Sequence, residues 1–276
     1  MSQPQKSIGK VVSIWRHPVK SMMGEELNSS HITERGLIGD RVYAIIDQQT
    51  GKVASAKNPR KWEKLFDFRA AFIDSLQTAD NIPPVRITLP DGRQIFSNQS
   101  EIDNTLSKVL GREVTLMKAS LEKPGYEEYW PDIEGIAHRE TVTDEAMPSQ
   151  SFFDVAVIHI LTTSTINRLR ELYPEGRFEV RRFRPNIVIE SRSGQKDFIE
   201  NLWVDKKLMI GEEVVLRVIA PCTRYVMITL PQGDLPKDLG ILHTVAKYNE
   251  VHDGVYASVD KGGRIRRGDI VQLEDY

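Results

Sequence analysis

The stretch Arg41–Ser55, RVYAIIDQQTGKVAS, decides the architecture. Two β-rich segments flank Gln48-Gln49-Thr50-Gly51, and a turn-forming spacer between strand-like runs predicts a hairpin. Upstream, IGKVVSIWRH (Ile8–His17) is β-rich and partly alternating. Downstream come FRAAFI (Phe68–Ile73) and VRITLPDGRQIF, the latter with an Asp91-Gly92 hairpin signal. Short strands at regular spacing predict a small barrel or sandwich. SEIDNTLSKVLG then reads as a helix, with Ile102, Leu106, Val109 and Leu110 at helical spacing and Gly111 as its C-cap.

Residues 119–149 are rich in Pro, Gly, Glu and Asp without a clear period, which predicts a linker or a long active-site loop. Beyond them, VAVIHIL and RPNIVIE read as buried strands and TTSTINRLRELYPEG as a helix between them. LWVDKKLMIGEEVVLRVIAP reads as two strands turning at Gly211. LPKDLGILHTVAKYNE carries a helix, and the tail (VYASV, a GGR turn, DIVQLE) is strand-like. The chain is therefore mixed but mainly β, in two β-rich halves with a few helices.

Composition bounds the partners. Of 276 residues, 40% are hydrophobic and 28% charged, as in ordinary soluble domains, and the net charge of −2 gives no bulk pull toward nucleic acid or membrane. No RNA-binding or helix-turn-helix signature accompanies the arginines of RFEVRRFRPN, and no apolar run approaches a membrane span. One cysteine and an N-terminus without a signal-peptide core fit a reducing, cytoplasmic location.

Three distant segments offer anion-binding groups. HPVKSMMGEEL places Lys20 and Ser21 in a turn after Pro18, and such a pair supplies a charge, a hydroxyl and backbone donors. RGLIGDRVYAIID sets Asp40-Arg41 at the mouth of a strand. In RFEVRRFRPNIVIE, Arg184 and Asn186 flank a strand start, where a guanidinium fork matches phosphate or carboxylate, while Arg177, Arg181 and Arg182 read as a solvated helix face. The histidines lack zinc-site spacing, and His159, inside an apolar strand, reads as a satisfied core histidine. No P-loop, dinucleotide fingerprint or nucleophile elbow is present. The lone Cys222 is open to reading as a buried hydrophobe, a metal ligand or the remnant of a changed site.

RHPVKSMMGEEL, GLIGDRVYAIID, GKVASAKNPRKW, HILTTSTINRL, RRFRPNIVI, VVLRVIAPCTRY and LPQGDLPKDLGIL together resemble the MOSC proteins, named for the C-terminal domain of molybdenum cofactor sulfurase. The chain is similar to the mitochondrial amidoxime-reducing components and their bacterial relatives. The resemblance implies an N-terminal β-barrel domain over residues 1–118 and a β-barrel MOSC domain over residues 119–276, with a few peripheral helices. It implies a molybdenum cofactor (molybdopterin) between them, reduction of a small N-hydroxylated or N-oxide substrate, and a separate reductase or ferredoxin-like electron donor; the alternative is a non-catalytic pterin- or anion-binding protein or cofactor carrier. By the same resemblance, Lys20, Ser21, Arg41, Thr162, Arg184, Asn186, Thr223 and Arg224 are cofactor-binding. In the family a cysteine directly after the arginine ligates the metal. Here Cys222-Thr223-Arg224-Tyr225 puts Tyr225 at that position, so Tyr225 and Cys222 are the candidate metal and catalytic residues. Positions three apart on a strand face opposite ways, so Cys222 substitutes for Tyr225 only if the chain bends near Pro221.

Overall fold

The computed structural model describes residues 6–76, 82–132, 138–191 and 197–274. Its largest element is a closed barrel of seven strands. In order around the barrel these are Lys6–Arg16, Ile187–Ser191, Ile158–Thr162, His252–Lys261, Val214–Thr223, Lys207–Ile210 and Ile270–Glu274, which returns to Lys6–Arg16. One pairing is parallel, Ile158–Thr162 with Ile187–Ser191. It requires a crossover, which the helix Thr163–Leu172 provides.

Inward positions alternate along each strand. Ile158 and Ile160, Ile187 and Ile189, Leu216 and Val218, and Val255 and Ala257 all join one buried cluster. The barrel interior is thus a packed core rather than a pocket. The residues between them face outward. Leu161 packs with Ile166 and Leu169 of the crossover helix and with Ile241 and Val245 of the helix Leu239–Asn249.

A second β unit covers one side of the barrel. Tyr43–Asp47 pairs with Val114–Lys118, and Arg69–Phe72, Val85–Thr88 and Gln94–Phe96 form a three-stranded sheet. The helix Ile102–Leu110 packs Ile102 and Leu106 into this unit's core with Trp62, Leu65 and Phe68. Gly111 ends it at φ +69°, a left-handed conformation that suits glycine.

Two expectations need correction. The hairpin expected around Gln48–Gly51 does turn back, but Val53 makes only an isolated bridge to Ile46, and the full partner of Tyr43–Asp47 is the distant strand Val114–Lys118. The expected linker or loop over 119–149 contains a hairpin, Gly125–Trp130 with Thr141–Ala146, in register from Gly125–Ala146 to Trp130–Thr141. Its period was masked because its buried face carries Tyr126 and Glu128, a charged residue where an apolar one is the usual signal.

The strand Lys6–Arg16 completes a barrel otherwise drawn from residues 158–274. The chain then leaves the first strand at Pro18, adds Glu25–Leu27 to its edge, packs Ile32 and Leu37 into the barrel core, builds the second unit and returns. Both units therefore meet along the segments that follow Arg16, Phe152 and Phe183. Among the described residues, no helix is long and apolar enough to cross a membrane.

Candidate functional site

A cavity of about 70 Å3, room for a phosphate-sized group with the side chains as they stand, lies between the barrel and the second unit. Lys20 and Ser21 reach it from the turn after the first strand, where Ser21 adopts φ +62°. Ser21 Oγ accepts from the Ala56 N–H at 3.0 Å, which ties that turn to the segment carrying Ser55 and Lys57. Arg41, at φ +50°, enters from one side, and Arg184, at φ +54°, from the other. Arg184 caps the short helix Val180–Phe183, and its Nη1 donates to the Met22 carbonyl at 2.6 Å.

Behind these cations Asp40 is buried. It accepts from the His17 N–H at 2.7 Å and from Asn186 Nδ2 at 2.8 Å, and it pairs with Arg41. Burial alone would raise its carboxyl, but Arg41 and the His17 hydrogen bonds hold it well below the usual carboxylate range. Asn186 also accepts from the His159 N–H at 3.0 Å. The Asn186 side chain thus clamps barrel to turn while lining the cavity.

The lining carries five cations, Lys20, Arg41, Lys57, Arg184 and Arg224, against one carboxylate, Asp154. Asp154 pairs with Lys20 and lies 3.2 Å from Lys57 Nζ. Burial opposes its charge, but the two lysines keep it ionised, well below its ordinary range. Lys57 also donates to the Tyr126 hydroxyl at 3.0 Å and stands 3.6 Å from Glu128. Burial pushes the Glu128 carboxyl up to about 7 against the pull of Lys57. Burial and Arg41 together push Arg184 down to about 9. A surplus of buried like charges is costly alone and is relieved by a bound anion. Arg224 adds a buried Nε with no partner, while its other nitrogens donate to Cys222 Sγ at 3.1 Å and the Phe183 carbonyl at 2.8 Å.

Lys20 supplies a pH test. Burial first, then Lys57 and Arg41, push its ammonium down to about 8 despite Asp154. Between there and the ordinary lysine value the unfolded chain binds the extra proton, so this group's contribution to stability rises with pH. Anion affinity runs the other way. Calorimetric titration with inorganic phosphate should show weaker binding as pH rises through about 8, with the loss absent in Lys20→Met. An identical pH profile in both proteins would reject this role.

Of the residues singled out in the sequence, Lys20, Ser21, Arg41, Arg184, Asn186, Thr223, Arg224 and Tyr225 line this one cavity. Thr162 does not. It is fully buried at the N-terminus of the crossover helix, where its Oγ1 accepts from the Thr165 N–H at 3.1 Å and donates to Glu200 at 2.7 Å. Cys222 is also outside the lining, with 0% exposure. The expectation that Arg182 belongs to a solvated face fails too, since it has 0% exposure and donates to four backbone carbonyls. Arg177 and Arg181 form ion pairs with Glu179 and Asp234. His159 is buried with Nε2 3.0 Å from the Asp253 carbonyl oxygen, and it lines the cavity as well. Sequence reasoning missed Lys57 and Asp154. Lys57 was visible in GKVASAKNPRKW as a lysine ahead of a helix-starting Asn-Pro, but Asp154 carries no local signal.

Tyr225 sits between an ammonium and an aromatic edge. Lys57 Nζ is 3.8 Å from its ring centroid, and the Trp130 ring meets it edge-on at 5.2 Å. Burial raises its phenol above the ordinary value despite Lys57, so it is protonated at neutral pH. It offers a neutral, hard oxygen where a soft thiolate would suit molybdenum. Among the described residues, no group of three or more His, Cys, Asp or Glu is placed to hold a metal ion. The donor set suits an anionic group, and the lining also offers Asp154, His159 and Tyr225 as oxygen and nitrogen donors.

Comparison with known proteins bears on both halves of the chain. Residues 8–112 match the model of the MOSC N-terminal beta barrel domain, and residues 149–272 match that of the MOSC domain. The rat mitochondrial amidoxime reducing component 2 is 24% identical, over 96% of this chain and 83% of that protein. The human mitochondrial amidoxime-reducing component 1 is 23% identical, over 97% and 84%. Among solved structures, the YUAD protein from Bacillus subtilis superimposes over 99% of both chains, with a TM-score of 0.48 and 11% identity.

Proposed function

We propose, from the premise that this chain belongs to the MOSC proteins and carries both their N-terminal barrel domain and their MOSC domain, that its cavity holds the phosphate end of a molybdenum cofactor and that it reduces N-hydroxylated compounds. The observation that carries this reading is the convergence of Lys20, Arg41, Lys57, Arg184 and Arg224 on one buried cavity between the two β units. Such a surplus suits the phosphate of molybdopterin. The reaction class comes from the relatives, whose names state that they reduce amidoximes. In that reduction the N–O bond breaks, two electrons and two protons enter, and one water leaves. The electrons come from a separate donor protein.

When bound, the cofactor supplies a metal centre able to accept oxygen from the substrate. The protein's own contribution is electrostatic and positional. Arg41 is held in place from behind by Asp40, and Arg184 by its bond to the Met22 carbonyl, so these cations are preorganised before the anion arrives. Glu128, with its carboxyl near 7 and one oxygen unpartnered, is a buried group able to hold a proton beside Lys57 and Tyr225.

A second reading is favoured by one observation. The resemblance puts the protonated Tyr225, packed against Lys57, where the family has a thiolate. Under it, the protein holds the pterin without performing the reduction. Molybdenum and released pterin are to be measured on one preparation from a host that makes the cofactor, with reduction of benzamidoxime by a chemical reductant alongside. Pterin with metal and turnover supports the first reading. Pterin without turnover supports the second. Absence of pterin rejects both. Tyr225→Cys should leave pterin content unchanged and raise molybdenum per pterin, because a thiolate is the softer ligand. A fall in that ratio would show that the tyrosine itself helps retain the metal.

A further inference from the structure

Beside the cationic cavity lies a second one of about 440 Å3, a volume in the range of small-molecule sites. The two share Arg41, Phe153 and Val155. Phe153 is buried, the Arg41 guanidinium stands 5.3 Å from its ring centroid, and Arg41 is itself held by Asp40. The character of the two cavities is opposite. The first is lined by charge, whereas the second is walled by Leu37, Ile38, Val42, Phe153, Val155 and Val157. Of its charged side chains, Glu34, Arg35 and Lys118 are exposed at the rim, while Asp40 is buried and paired with Arg41 on the side shared with the first cavity. Val155, at the junction, is 56% exposed although it lies between two buried segments.

We infer that the second cavity is the substrate site, and that it takes the apolar body of a neutral amphipathic molecule, an aryl or alkyl compound whose polar N–O end is directed past Phe153 and Arg41 toward the cationic cavity. This rests on the reading proposed above. Along the Leu37, Ile38, Val42, Phe153, Val155 and Val157 side chains the ring-edge donors and acceptors of a pterin would find no partner, and burying those unpaired is costly. The same wall stabilises a hydrocarbon or aromatic body by the area it removes from water. The cofactor's anionic end belongs with the cations of the first cavity, which leaves the second for a molecule without charge of its own. The shared Arg41–Phe153 wall lets one residue pair touch both occupants.

The test uses benzamidoxime as the probe, with binding followed by calorimetry on the wild-type protein and on two plugged variants. Ala119→Trp and Ser149→Trp each place an indole in the second cavity, and neither residue lines the first. Ser149 is exposed, so its substitution should be tolerated by the fold even if that of the half-buried Ala119 is not. Both variants should lose roughly tenfold or more in affinity, less than the full worth of a buried aromatic ring. Released pterin should match the wild type. Benzamidoxime bound equally by the wild type and Ser149→Trp overturns the inference. A fall in pterin content of the folded variants also overturns it, since the pterin would then occupy the second cavity. If wild-type protein holds no pterin but loses benzamidoxime binding on plugging, the cofactor reading fails and the cavity assignment stands.

Discussion

Lys20→Ala combined with Arg184→Ala is expected to lower bound pterin by roughly a hundredfold or more in affinity, since each change removes a charge-assisted hydrogen bond worth about 1.5–3 kcal/mol. Folding should survive. Burial and Arg41 push the Arg184 charge down to about 9, so the cofactor-free protein pays a penalty to keep it. Removing it loses the bond to the Met22 carbonyl but relieves that repulsion. Removing Lys20 leaves Asp154 paired with Lys57. Alanine at φ +54° is no more strained than arginine. Released pterin per mole of protein and the thermal midpoint, taken on one sample, separate loss of binding from loss of fold. Pterin retained at wild-type level would place the cofactor outside this cavity.

Arg182→Ala should be the most destabilising of these changes, by about 3–5 kcal/mol, because it empties a large core volume and strips charged donors from buried acceptors. Arg182 donates from Nε to the Arg177 carbonyl at 2.8 Å, from Nη1 to Ile228 at 3.2 Å and Leu230 at 3.1 Å, and from Nη2 to Pro236 at 2.8 Å. Those last three carbonyls belong to the irregular segment that follows Tyr225. No strand partner satisfies them, so one guanidinium fork does. Urea unfolding measures the loss. A change under about 1 kcal/mol would mean that water or a repacked backbone serves those carbonyls equally well. The segment it anchors carries Tyr225 into the cavity, so the same arginine links core stability to site geometry.

The errors and successes of sequence reading divide along one line. The helix Ile102–Leu110 was legible because its signals are local, an apolar stripe at helical spacing and a glycine stop. The strands of the C-terminal half were legible for the same reason. Lys20, Arg41 and Arg184 could be singled out because each sits where a strand or turn ends. The resemblance added Thr223 and Arg224, which the structure brings to the same cavity, and Thr162, which it places at a helix N-terminus instead.

By itself, then, the sequence determined the kinds and order of most elements, the hairpin within 119–149 excepted, and it named most of the cations that meet in the cavity. Hydrophobic period and turn chemistry act over a few residues, and they are written in the chain. Only the tertiary structure decided that Lys6–Arg16 closes a barrel with strands from the other end of the chain. It also decided that Glu128 turns inward beside Lys57, that Asp154 stands between two lysines, and that Arg182 is buried rather than solvated. Each of these depends on a partner many residues away, and the sign of a charge's effect depends on what closes over it. Burial and pairing are properties of the assembled fold, so they could not be read from the residues that undergo them.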